Sequence, residues 1–263
     1  MLAPVDVNAG DYFGVSSMGI NMDILRFTLS GKQAMFKKPD VNSVHYYTYG
    51  QIHKPALVGL FGAVLGYAGY NRMRETDKYP EYYQKLKDLQ VSISPNAEKG
   101  YFAKKMISFN NSVGYASREQ GGNLIVKEQW IENPSWDIFV LLDCDEARKL
   151  AEYLTERKCI YIPYLGKNDH LADIAQVRIA AGNISAECVS LDCLFPRNKV
   201  QIDSDANLFG GVENQFKYEE ALPVGLDPDT NQYILEKFIY TNMILRQPEE
   251  QVWNVDGKQI LFY

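Results

Sequence analysis

Two sets of residues in this sequence are equipped for chemistry. In "KQAMFKKPDVNSVHYYTYGQIHK" (32–54), the rings of His45, Tyr46, Tyr47, Tyr49 and His53 stand close to the cations Lys32, Lys37, Lys38 and Lys54. Tyrosine and histidine rings stack on unpaired bases and lysines neutralise phosphates, so the mixture suits a single-stranded polyanion. Alternating tyrosines also fit an ordinary half-buried strand. The second set is Tyr46 with Lys167 and His170 of "YLGKNDH" (164–170). A histidine beside a lysine can run the acid and base steps of metal-free RNA cleavage; the plainer reading of the same stretch is a loop leaving a strand. Arg72 and, further along, Lys104, Lys105, Asn110, Asn111 and Arg118 extend the first set of candidate polyanion contacts.

Other chemistries are not encoded. There is no G-x-S-x-G elbow, no G-x-x-x-x-G-K-[ST] loop and no G-x-G-x-x-G fingerprint. Four cysteines form no C-x-x-C pair, Cys188-x4-Cys193 is a weak zinc pattern, and Asp143-Cys144-Asp145 reads as a helix cap. We expect no metal, no cofactor and no catalytic set beyond the three residues above. The start carries no secretory signal, and the longest apolar run, Pro55 to Tyr70, is 16 residues with four glycines, short of the roughly 20 of a membrane helix. The expectation is a cytoplasmic protein without a membrane partner.

The net charge of −6 conceals an asymmetry. Residues 22–110 hold 13 Lys and Arg against 7 acids, whereas residues 111–263 hold 14 against 24. A basic first half can meet a polyanion while an acidic second half meets proteins.

The elements that must position these side chains follow from periodicity. Residues 1–21 show none and form a leader, either an upstream start or a contact segment. "DILRFTLSGK" alternates, with Leu25, Phe27 and Leu29 on one side and Arg26, Thr28 and Ser30 on the other, as a half-buried strand does. Pro55 opens a helix from about Lys54 to Tyr70, on which Gly59, Gly62, Gly66 and Gly69 share one stripe. Each glycine costs roughly 0.8–1 kcal/mol against alanine, so the stripe must let something approach: a packed element of the same chain, or an RNA backbone or partner chain. "VSIS" (91–94) is a second strand, "WDIFVLL" (136–142) a third and "CIYIPY" (159–164) a fourth. Ala147, Leu150, Ala151 and Leu154 make the apolar stripe of a second helix, capped by Asp143 or Asp145. Between the second and third strands, 96–135 carries two strand-like pieces, Lys104–Phe109 and Leu124–Trp130, as a hairpin arm. Asp256-Gly257 marks a last hairpin.

This order is that of a split β-α-β, the ferredoxin-like topology of RNA-recognition domains. The expected fold class is therefore α+β: an RRM-like domain over 22–185 with an inserted arm at about 96–135, then a β-rich region over 186–263.

Five stretches, "FTLSGKQAMFKKPDVN", "YYTYGQIHKPALVGLFGAVLGYAGY", "ISFNNSVGYA", "NLIVKEQWI" and "YIPYLGKNDH", spread over Met22 to His170, together resemble CRISPR-associated protein family five of the RAMP superfamily, type I-B in kind. The resemblance implies an RNA-recognition-like fold whose arm is a thumb. It also implies a subunit of the type I (Cascade) surveillance complex that holds the 5′ handle of the crRNA. The implied partners are the large subunit, the backbone subunit of the crRNA filament and, indirectly, target DNA. One subtype of the family cuts the repeat RNA through a tyrosine, lysine and histidine; the type I-B kind leaves that step to a separate enzyme, so the resemblance implies a non-catalytic role.

Overall fold

The alternation around Leu25 to Leu29 sets the centre of the molecule. The computed structural model describes residues 21–39, 45–115 and 118–263, and the leader apart from Asn21 lies outside them. In chain order the elements are β1 (Asn21–Ser30), β2 (Gln33–Ala34), β3 (His45–Tyr46), α1 (Lys54–Leu65), α2 (Glu81–Leu86), β4 (Val91–Pro95), β5 (Lys104–Asn110), β6 (Ile125–Glu132) and β7 (Ser135–Leu141). There follow α3 (Asp145–Thr155), β8 (Asp173–Ile184), β9 (Phe195–Pro196), α4 (Ser204–Gly210), β10 (Lys217–Leu226), β11 (Tyr233–Thr241), β12 (Val252–Val255) and β13 (Lys258–Leu261). The fold is mixed, richer in strand than helix, and its main sheet is antiparallel in the order β13-β12-β8-β1-β7-β4. No helix among the described residues is long and apolar enough to cross a membrane.

Both faces of the main sheet are covered. Leu25, Phe27, Leu29, Ile138 and Val140 face α1 and α3 in one core. On the other side Ile24 and Phe139 join Cys193, Phe195, Trp253 and Val255 in a second. The terminal hairpin turns at Asp256 and Gly257, both at positive φ, and β12 pairs with β8, so the end of the chain extends the main sheet. A three-stranded sheet, β10-β11-β9, stands beside it. The arm is the β5–β6 hairpin, and β6 also pairs with β2 and, in parallel, with β3.

Four local expectations need correction. Helix α1 stops at Leu65, because Gly66 adopts φ 77° and the Tyr67 and Gly66 N–H groups bond back to the Gly62 and Ala63 carbonyls, a glycine-terminated end. Only Gly59 and Gly62 therefore lie inside the helix. "CIYIPY" is not a strand: the Ile160 and Tyr161 N–H groups are spent on the Val64 and Ala63 carbonyls at 3.0 and 3.1 Å, satisfying the end of α1 rather than a ladder. The fourth strand beside β1 is β8 instead. The cap of α3 is Cys144, with Asp145 and Glu146 inside the first turn, where their negative charge is favourable at the positive end of the helix dipole.

What approaches the glycines is α2. A Cβ on Gly62 would fall 2.5 Å from Tyr82 Cβ, whereas one on Gly59 would meet only Tyr82 Cε2 at 3.8 Å. The same substitution should thus have opposite signs. Gly59→Ala is expected to stabilise by roughly 0.8–1 kcal/mol through helix propensity, and Gly62→Ala to destabilise by about 1–3 kcal/mol through overpacking, both read from urea midpoints.

Candidate nucleic-acid interface

The aromatic, cationic segment is a ribbon folded on itself. Lys37 bridges to Thr48, the Lys38 N–H donates to the Tyr47 carbonyl at 2.8 Å, and the Tyr49 N–H to the Phe36 carbonyl at 2.9 Å. This pairing sorts the rings. Tyr49 and Thr48 turn inward, while Tyr47 is exposed and His45 and Tyr46 half-buried. On the outer side the Lys37 ammonium sits 3.8 Å from the centre of the Tyr46 ring, and His45 stacks over Tyr47 with ring centres 6.2 Å apart. A cation held over one ring beside a stacked pair is suited to a base and its phosphate.

β3 places this strip at the root of the arm. His45 and Tyr46 pair with Lys127 and Glu128 of β6. Glu128 accepts from Lys167 Nζ at 2.6 Å and from the Trp130 indole N–H at 2.8 Å. The His170 ring meets Trp130 edge-on with centres 4.5 Å apart. Tyr46, Lys167 and His170, far apart in sequence, therefore gather around β6. His170 is only 3% exposed, and neither ring nitrogen has a hydrogen-bond partner among the described residues. Burial pulls its pKa below the ordinary value, which keeps the ring neutral.

Other candidates fall elsewhere. His53 is 2% exposed, enclosed by Phe36, Tyr49 and Tyr233, and its Nδ1 accepts the Ala56 N–H at 3.3 Å as the cap of α1. Lys54 points inward and donates to the Tyr263 carbonyl at 2.9 Å, and burial pulls its pKa down to about 8. Lys38 is paired with Glu220 at 3.2 Å. Lys32 is exposed beside the root of the arm. Lys104 is exposed and Lys105, paired with Glu132, half-buried, both near the foot of β5; Asn110, Asn111 and Arg118 are exposed at its far end. Seven residues of strand put that end about 20 Å away. Arg72 is exposed on the connection after α1.

Sequence reasoning passed over Glu128 and Trp130, which organise the root. An acid two residues from a tryptophan, both on one face of a strand, is the signal that marks them.

No family model matches the chain, and no curated protein matches it. Among solved structures, a chain of a CRISPR RNA-guided surveillance complex aligns with a TM-score of 0.51 at 13% identity, covering 86% of this chain and 91% of that one. A CRISPR protein from Archaeoglobus fulgidus aligns with a TM-score of 0.47 at 12% identity over 91% and 98%. At 13% identity the first of these shows the fold alone, and the fold of this chain is that of a chain from a CRISPR RNA-guided surveillance complex.

Proposed function

We propose that this chain is a non-catalytic RNA-binding subunit of a CRISPR RNA-guided complex, and that it holds the 5′ handle of the guide. The observation that carries the reading is the outward strip at the root of the arm: Lys37 over Tyr46, His45 over Tyr47, and Lys167 beside them. The strand order β8-β1-β7-β4, with α1 and α3 on one face, supports a ferredoxin-like core. The β5–β6 hairpin between its second and third strands is read as the thumb. The acidic second half suits protein neighbours, which in a type I-B arrangement are the large and backbone subunits, with target DNA reached only through them.

The test is the purified chain with labelled repeat RNA in EDTA, with binding read at several salt concentrations. Uncut RNA and salt-weakened binding are expected. Lys37→Ala should flatten the slope of log affinity against log salt by about 0.7, the share of one phosphate on a single strand, and Tyr46→Ala should weaken binding roughly tenfold. Unchanged binding by the double variant overturns the reading.

A second reading, metal-independent cleavage of the repeat, is favoured by the gathering of Tyr46, Lys167 and His170 around β6. A discrete cut in EDTA that disappears in His170→Ala would establish it. The enclosure of the His170 ring is why the binding reading is preferred.

A further inference from the structure

A groove of about 800 Å³ runs along the outer side of α1, within the size range of small-ligand sites, about 300–1,000 Å³. Gly59 puts no side chain into it, and Tyr70, Tyr82, Tyr161, Tyr164 and Tyr233 stand around it. Lys37 and Arg72 belong to its lining and no carboxylate does, although the chain has 33 acids against 27 Lys and Arg. Lys37 also ties the groove to the strip at the root of the arm through Tyr46. A second hollow shares Gly69 and Arg72 with the groove and continues past Arg74 and Lys78. Arg74 is paired with Asp77, while Arg72 and Lys78 have no ion pair among the described residues.

The floor also holds a donor. The His53 ring lines the groove yet is 2% exposed. Because its Nδ1 accepts the Ala56 N–H, the neutral ring is fixed as the tautomer carrying hydrogen on Nε2. Burial pulls its pKa down to about 3, so the ring is neutral across the physiological range. That Nε2–H meets no hydrogen-bond acceptor among the described residues. An acceptor on a ligand in the groove can therefore take that hydrogen.

We infer that the groove is a nucleobase site: one unstacked base of a single-stranded RNA lies over Gly59 among the tyrosine rings, an acceptor on its edge takes the His53 Nε2–H, and flanking phosphates meet Lys37 and Arg72. The inference rests on the RNA-binding reading above. The cations and the missing carboxylates favour a nucleotide over an apolar protein segment, since the latter gains nothing from Lys37, Arg72 or a lone ring donor.

The test uses the full chain and a short single-stranded RNA carrying 2-aminopurine at each position in turn. Gly59→Leu fills the floor; an added Cβ there meets only Tyr82 Cε2, at 3.8 Å, within 4 Å. Tyr161→Ala, which removes an exposed wall ring, is the second variant should the first fold poorly. In the unmodified chain one position is expected to change fluorescence on binding. In either variant that change should vanish and affinity fall roughly tenfold, with the salt slope unaltered because no phosphate contact is lost. Fluorescence and affinity like those of the unmodified chain in both variants overturn the groove alone and leave it to a protein segment. Failure of the unmodified chain to bind any RNA overturns the RNA-binding reading itself, and the groove with it.

Discussion

Asp137→Ala is expected to remove about 3–5 kcal/mol of stability, seen as a large drop in the urea midpoint. Asp137 lies on β7 and is 6% exposed. Its two oxygens accept from Arg26 and Lys258 at 2.9 Å each, from Thr28 at 2.9 Å and from Asn96 at 3.0 Å. Removing the carboxylate takes an acid from both cations. Arg26 retains Asp256 at 2.7 Å, while Lys258 has no second acid among the described residues. The same site sets an acid limit. Burial alone would raise the Asp137 pKa, but the hydrogen bonds from Lys258 and Asn96 outweigh it and hold the carboxyl well below the usual range. A group lowered on folding contributes stability that is fully present above its unfolded value, about 3.9, and is lost as pH falls through the folded one. Stability should therefore decline below about pH 4, and Asp137→Asn should flatten that decline. An equally steep acid limb in the Asn variant would assign it to other carboxylates.

Gly166→Ala is expected to cost more than about 3 kcal/mol, combining left-handed strain with overpacking. Gly166 has φ 86°, and a Cβ there would lie 1.9 Å from the Met35 carbonyl oxygen. Backbone cannot step aside cheaply at this point. The Met35 N–H is held by the Leu165 carbonyl at 3.1 Å, and the Leu165 N–H by the His170 carbonyl at 2.7 Å. Lys167, which pairs with Glu128 at 2.6 Å, is the next residue, so under the proposed function RNA affinity should fall along with the urea midpoint. Gly210→Ala, whose Cβ would meet nothing within 4 Å, is the control and should change stability by less than about 0.5 kcal/mol.

Much of this arrangement is legible in the sequence because it is local. The alternation of β1, the stripe of α3, the Asp256-Gly257 turn and both strands of the arm follow from patterns within a dozen residues. β8 was not legible: its run of Ala175, Gln176, Ala180, Ala181 and Gly182 has little apolar contrast between faces, and Gln176 interrupts the period at φ 53°. "CIYIPY" has the composition of a strand, but its donors are claimed by a helix end almost a hundred residues earlier. α2 is only six residues long and too short to show a period.

The site divides in the same way. That residues 32–54 carry stacking rings and cations is plain from the letters. Which of them face outward is decided by distant partners: Tyr233 closes over His53 and Tyr49, Tyr263 draws Lys54 inward, and Glu220 takes Lys38.

The strand shared at the root of the arm has a mechanical consequence. β6 is bonded to β5, β2 and β3 at once, so the arm is a cantilever clamped in the body and has no free pivot there. A neighbouring subunit that leans on its far end works through a lever of about 20 Å, and the load arrives at the Tyr46–Glu128 pairing. Under the proposed function, tightening or loosening of the RNA grip would register, without any moving joint, that a neighbouring subunit has docked.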